Sequence, residues 1–308
     1  MGIMVFSVVI SFVVSSAVVG AMLVWGRHLL PLDRVNHRSL HTGEIPRSGG
    51  LGILLGAGLA VLWSMHGVSM GEGVALLLGI AMLAGVSLLD DFRAVPAPGR
   101  LLVQVLSSIC LLYWLDIFSG WMAAVVMTVV IVWSINLYNF MDGMDGLAGS
   151  MALVGFSALA LSGLLAGDTE YAVVMSSIAA ASAGFLVFNL PPARIFLGDV
   201  GSTFLGYMMA AASLWGMERQ IFPWWVPLVV FAPFWIDATV TLLRRLARGE
   251  RVWEAHRSHF YQRAVLAGWP VKRVLLVEVA LMLLCTSVAI AGLIAPMDSP
   301  GAEIRFMF

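Results

Sequence analysis

The chain has 308 residues, of which 60% are hydrophobic and 11% charged, with a net charge of −1 and a mean hydropathy of +0.95. A soluble domain carries about 25% charged residues, so a surface this apolar needs lipid as its solvent. The near-zero charge gives no electrostatic reason for a nucleic-acid partner. Cys110 and Cys285, each inside an apolar run, argue against a disulfide scaffold or a thiolate metal site.

Ten apolar runs approach membrane-spanning length, at about 3–25, 49–66, 72–89, 101–119, 121–138, 151–167, 171–189, 201–217, 222–243 and 274–295. Lipid cannot satisfy an open strand edge, so the runs predict helices: an all-α integral membrane protein of about ten transmembrane helices. The first run has no basic residues before it and no polar-flanked cleavage site after it, and is expected to remain as a span. The next connection reads Asn36-His-Arg38-Ser39-Leu-His41-Thr-Gly-Glu44-Ile-Pro46-Arg47-Ser-Gly49-Gly50, an ordered turn in which Arg47 is placed to face a phosphate. Arg38 and His41 either join it or only shape the loop.

The third run ends on Asp90-Asp91. Acids at the negative end of a helix dipole are disfavoured by about 0.3–1 kcal/mol each. The pair is therefore either a solvated helix end or a site for a cation or a proton. Arg100 and Gln104 follow. The fifth run leads into Asn136-Leu-Tyr-Asn139-Phe-Met-Asp142-Gly-Met-Asp145-Gly. Asn136 and Asn139 share a helix face, and the glycines then break the helix. Two carboxylates and two amides are hard oxygen donors that suit Mg²⁺, with Mn²⁺ as a substitute, better than zinc.

Before the eighth run stands Phe196-Leu-Gly-Asp199-Val-Gly-Ser202-Thr203. Asp199 reads as an N-cap or as a metal ligand beside a phosphate held at the helix start, and the two roles are compatible. Asp237, inside the ninth run, is costly in lipid and is expected to support a site near the membrane boundary. The basic loop 244–273 carries Ala255-His256-Arg257-Ser258-His259-Phe260-Tyr261-Gln262-Arg263. On a helix His256 and His259 would share a face. With no third His or Cys nearby, diphosphate binding by His256, Arg257 and His259 fits better than zinc. Arg244, Arg245 and Arg248 read as positive-inside anchors.

Of 17 basic residues, 15 fall in alternate connections, and only Arg219 and Arg305 lie opposite. This places those connections in the cytoplasm and both termini outside. Nearly all unusual polar chemistry shares that face. Residues 1–308 are expected to form one polytopic domain with its active site on the cytoplasmic face. Carboxylates at one face argue for an enzyme over the alternative of a cation-coupled secondary transporter, whose site would lie at the midplane.

Together, from about residue 30 to 265, the five motifs resemble the bacterial polyprenyl-phosphate N-acetylhexosamine-1-phosphate transferases. That family is glycosyltransferase family 4 and includes the phospho-MurNAc-pentapeptide translocase. The resemblance implies transfer of a sugar-1-phosphate from a UDP-N-acetylhexosamine-type donor to undecaprenyl phosphate in the bacterial inner membrane. The form HRSHFYQR looks most like the O-antigen-initiating branch. The resemblance further implies that Asp90 and Asp91 are catalytic, the second acting on the lipid phosphate, and that Asn139 and Asp199 hold Mg²⁺. It places Asp142 and Asp145 at the nucleotide-sugar site, and matches Arg100 and Gln104 to a Lys and a Gln of the family. Arg47, Asn136, His256, Arg257 and His259 complete the expected substrate contacts. His256 stands where many relatives have Asp. A homodimer is compatible with this reading, and the sugar is not named by it.

Overall fold

The computed structural model describes residues 2–26, 30–33, 44–64, 70–117, 120–251 and 256–295. Arg27, Arg34, Arg38, His41 and Arg305 lie outside them. In chain order the helices are α1 (Gly2–Val24), α2 (Gly50–Ser64), α3 (Met70–Phe92), α4 (Ala97–Trp114), α5 (Trp121–Met141), α6 (Leu147–Leu165) and α7 (Thr169–Asn189). They continue with α8 (Gly198–Glu218), α9 (Trp225–Val230), α10 (Ala232–Ala247), α11 (Phe260–Leu266) and α12 (Val271–Ile294). Between α1 and α2, strands β1 (Leu32–Asp33) and β2 (Ile45–Pro46) pair antiparallel.

This is an all-α membrane protein. Among the described residues seven helices are long and apolar enough to cross a membrane: α1, α3, α4, α5, α6, α7 and α12. The other three expected runs depart from simple spans. Helix α2 has 15 residues, about 22 Å of rise. Helix α8 is long enough but polar at its start, with Asp199, Ser202 and Thr203. The run expected at 222–243 is not one helix. It parts at Phe231, because Pro233 lacks an N–H and its ring clashes with the preceding turn.

Helices α6, α7 and α8 form the interior, with Tyr171, Phe156, Phe185 and Tyr207 almost wholly buried. Lipid gives helices no hydrophobic reason to associate, so close packing must hold them. The α1–α2–α7 contact shows how. Ser11, Ser15 and Val19 recur every fourth residue along α1 and are buried. Opposite them, a Cβ added at Gly56 or Gly184 would strike α1 backbone. Outward-facing Phe6, Val126, Leu276 and Leu284 remain more than half exposed, as lipid-facing residues should.

The two ends of the bundle differ. At one end Arg219, after α8, pairs with Asp168 at 2.9 Å and Glu170 at 2.7 Å, and so ties the α6–α7 turn. At the other end the connections after α1, α3, α5, α7 and α10 come together. Those are the connections that carry most of the basic residues.

Candidate active site

The centre of the polar end is built on a crossing of two helix starts. Gly49 and Gly50 donate backbone N–H groups to Phe196 and Leu197 oxygens at 2.9 and 2.8 Å. A Cβ at Gly50 would land on the backbone of Gly201, so only glycines permit this approach of α2 to α8. Ser48, just before the crossing, has φ of 85°, a left-handed conformation that a non-glycine residue keeps only when its surroundings fix it. What fixes it is Asp91.

Asp91 ends α3 with only 2% exposure. Its Oδ2 accepts the Ser48 hydroxyl at 3.0 Å and its Oδ1 accepts the backbone N–H of Asp199 at 3.3 Å. The Arg47 guanidinium lies 3.5 Å from Oδ1 and also donates to the Asp91 carbonyl at 2.7 Å. Asp91 therefore joins α2, α3 and α8 and supplies the acceptor that α8 lacks at its first turn. Its neighbour points elsewhere. Asp90 pairs with Arg100 at 2.7 Å and accepts the Val95 N–H at 2.6 Å. Its carboxyl also lies within hydrogen-bonding reach of the Asp199 carboxyl.

Asn139, on the last turn of α5, donates to Asp199 Oδ1 at 3.0 Å and to Ser202 Oγ at 2.9 Å. Asp91, Asn139 and Asp199 thus meet from three separate helices. Asn136, one turn earlier, exchanges hydrogen bonds with Gln104 of α4 at 2.7 and 3.4 Å. It braces α4 against α5 and does not touch the carboxylates through any of its hydrogen bonds.

In the turn between α5 and α6, burial pushes the Asp142 carboxyl well above the ordinary carboxylate range, and the charges of Asp199, Asp91 and Asp33 push it further. Asp145 is used differently. Its Oδ2 accepts the Ala193 N–H at 2.9 Å, which ties this turn to the α7–α8 connection. Asn189 makes a second tie, accepting the Gly146 N–H at 3.0 Å and donating to the Ile195 oxygen at 2.9 Å.

The histidine segment departs from its expected form. His256 and His259 do not share a helix face, because α11 begins only at Phe260. Their rings nevertheless lie 4.8 Å apart. His259 is 2% exposed, whereas Arg257 faces solvent and His256 is half-buried. Burial first, then the charges of His259 and Arg245, hold the His256 imidazole down at about 4. Arg245, read as a positive-inside anchor, is buried and pairs with Glu250 at 2.8 Å.

Sequence reasoning missed Ser48, Asn189 and Glu278. Ser48 stands beside a glycine pair and Asn189 two residues before a proline pair, where a short polar side chain has backbone groups to satisfy. Glu278, an acid within the last apolar run, lies near enough to Asp237 to feel its charge.

The donor set can be tested for a divalent cation. Asp90, Asp91, Asp142 and Asp199 gather in one place, while Arg47 and Arg100 already serve Asp91 and Asp90. Hard oxygens with surplus negative charge fit Mg²⁺. Among the described residues no three His, Cys, Asp or Glu side chains form a closed metal cage. An ion here would need substrate oxygens and water to complete its shell, as Mg²⁺ commonly does.

Residues 74–217 match the model of glycosyl transferase family 4. A probable undecaprenyl-phosphate N-acetylglucosaminyl 1-phosphate transferase of Bacillus subtilis is 29% identical over 259 residues, covering 77% of this chain and 70% of that protein. A phospho-N-acetylmuramoyl-pentapeptide-transferase of Desulforudis audaxviator is 29% identical over 297 residues, 83% of this chain and 86% of the relative. An undecaprenyl-phosphate alpha-N-acetylglucosaminyl 1-phosphate transferase of Escherichia coli is 25% identical over 259 residues, with 77% and 70% covered.

Proposed function

The chain belongs to glycosyl transferase family 4, and from that membership we propose that it transfers a sugar-1-phosphate to a polyprenyl phosphate at the membrane surface. The donor in this reading is a UDP-N-acetylhexosamine and the acceptor undecaprenyl phosphate. The names of the relatives support undecaprenyl phosphate as acceptor and an N-acetylhexosamine 1-phosphate as the transferred group, and the UDP carrier is this proposal's own. An oxygen of the lipid phosphate forms a bond to the β-phosphorus of the donor. The bond from that phosphorus to the bridging oxygen breaks, and its electron pair leaves with UMP.

The observation that carries the proposal is the meeting of Asp91, Asn139 and Asp199 at one end of the bundle. Two anions must approach each other here, so charge cancellation and alignment make up most of the catalysis. Asp199 and Asn139 would hold Mg²⁺, which when bound would neutralise charge on the diphosphate. Arg47, fixed by Asp91, is positioned to receive a phosphate. The resemblance gives Asp91 the task of orienting the lipid phosphate or keeping it deprotonated, with Asp90 in support. Because Asp91 is enclosed by Ser48, Arg47 and Asp199, this reading has it fix Arg47 and moves that task to Asp90, beside Asp199. Asp142 and the segment from His256 to Arg257 face the donor. Donors on a membrane-embedded scaffold suit an acceptor whose headgroup lies at the surface and whose tail remains in lipid.

In the same reading the polar end faces the cytoplasm of a bacterial inner membrane, and the product starts a surface glycan such as O-antigen. The polar cluster lies at one end of the bundle and not midway along it, which favours an enzyme over a transporter. The test combines purified protein, undecaprenyl phosphate, Mg²⁺ and a panel of UDP-sugars, scored for UMP. Asp199→Ala and Asp91→Asn should lose release, and near-native activity in either would remove the assignment.

A further inference from the structure

The two histidines that look equivalent in the sequence occupy different surroundings. The His259 ring nitrogen Nδ1 lies 3.0 Å from Asp237 Oδ1. Asp237 also accepts the Thr241 hydroxyl at 3.0 Å and the Phe260 N–H at 2.9 Å, and Tyr261 N–H lies 3.4 Å from it. A carboxylate only accepts, so Nδ1 must carry the hydrogen. Both partners are buried, with Asp237 at 4% and His259 at 2% exposure.

From His259 the contact continues. Its ring stacks on Tyr261 at 5.9 Å, and the Tyr261 hydroxyl donates to the Phe140 oxygen at 3.3 Å. A Cβ added at Gly143 would strike that hydroxyl, so Tyr261 packs directly on the turn that holds Asp142. The backbone N–H of His259 is itself held by Gln262 at 3.3 Å. A buried column therefore runs from α10 to the α5–α6 turn. His256 and Arg257 are left at its open end.

We infer that Asp237 and His259 are positioning residues, forming a buried latch that docks the histidine segment on the α5–α6 turn so that His256 and Arg257 meet the donor diphosphate. The functional part of this inference rests on the transfer reading. It assigns His259 to the scaffold and gives the supporting role expected of Asp237 a specific partner.

Two substitutions at one position decide it. The Asn amide nitrogen is as many bonds from Cα as Nδ1, and the Gln amide nitrogen as many as Nε2. His259→Asn should keep UMP release within about threefold, because it still donates to Asp237. His259→Gln and Asp237→Asn should each lose about tenfold or more. The Asp237→Asn/His259→Gln double variant should be no worse than the less active single, since the His259–Asp237 contact that both break is lost only once. The reverse order, with Gln active and Asn inactive, would mean that Nε2 touches substrate and would overturn the inference, as would losses that multiply in the double variant. Should Asp237→Asn fail to fold, the His259 pair alone decides.

Hydrogen exchange of the peptide spanning 256–266 reads the latch without any activity. Exchange should quicken by about tenfold in His259→Gln and stay at the wild-type rate in His259→Asn. Equal exchange in both overturns the latch. If the wild type releases no UMP from any UDP-sugar, the transfer reading fails and exchange still decides the latch.

Discussion

Adding one methyl group at Gly50 tests whether the crossing of α2 and α8 sets the active geometry. The new Cβ would land on Gly201 Cα and N and come within 3.0 Å of the Leu197 oxygen. These are backbone atoms, so no flexible side chain can yield. Relief requires the two helix starts to part by about 1 Å, and overpacking of this kind costs about 1–3 kcal/mol. The separation would stretch the bonds from Gly49 and Gly50 to Phe196 and Leu197. It would also pull Ser48 away from the Asp91 carboxylate that holds Asp199. A misplacement of about 1 Å at reacting groups can cost about 100-fold in rate. Initial rates of UMP release and thermal unfolding in detergent would be compared for Gly50→Ala and Gly58→Ala. A Cβ added at Gly58 would meet nothing within 4 Å, so its substitution should be neutral or stabilise the helix by up to about 1 kcal/mol. A Gly50→Ala protein with full rate and unchanged unfolding midpoint would refute the reasoning.

Chelation with EDTA should abolish UMP release and added Mg²⁺ restore it, while Asp199→Ala should stay at least about 100-fold down at any Mg²⁺ concentration. His256 provides a pH test. Its folded-state value of about 4 lies below the ordinary 6.5, so the unfolded chain binds more protons between those values. The stabilisation is complete above 6.5 and is lost as pH falls toward 4. The unfolding midpoint of the wild type should therefore drop more between pH 7.5 and 5 than that of His256→Gln. Arg245→Ala, which removes a buried partner of Glu250, should cost about 1–2 kcal/mol in thermal unfolding. Arg248→Ala, at a 70% exposed side chain, should cost less than about 0.5 kcal/mol.

The parts of the site that depend on residue type were legible in the sequence. Acids and amides in apolar surroundings stand out because lipid makes them costly, and Asp90, Asp91, Asn139 and Asp199 do come together. What each one touches was not legible. Asp91 and Asp90 are adjacent in sequence, yet one is enclosed by Ser48, Arg47 and Asp199 while the other reaches Arg100. Asp145 and Asn136, expected among the substrate contacts, spend hydrogen bonds on Ala193 and Gln104. The helix start at Phe260 is capped locally by Gln262 and from afar by Asp237, 23 residues earlier, and the local pattern contains only the first of these. The break before Pro233 was readable from the proline, but the apolar residues continue on both sides of it from 222 to 236 and make the run look like one span.

The capping of α8 by Asp91 bears on how the chain assembles. A ribosome delivers α3 to the bilayer long before α8, so the acceptor for the Asp199 N–H is already waiting when that later helix emerges. Asp237 likewise precedes the amides of Phe260 and Tyr261 that it receives. Both late helices enter a nascent bundle whose earlier members hold the counterpart of their first exposed amides. The order of synthesis and the order of satisfying those groups coincide.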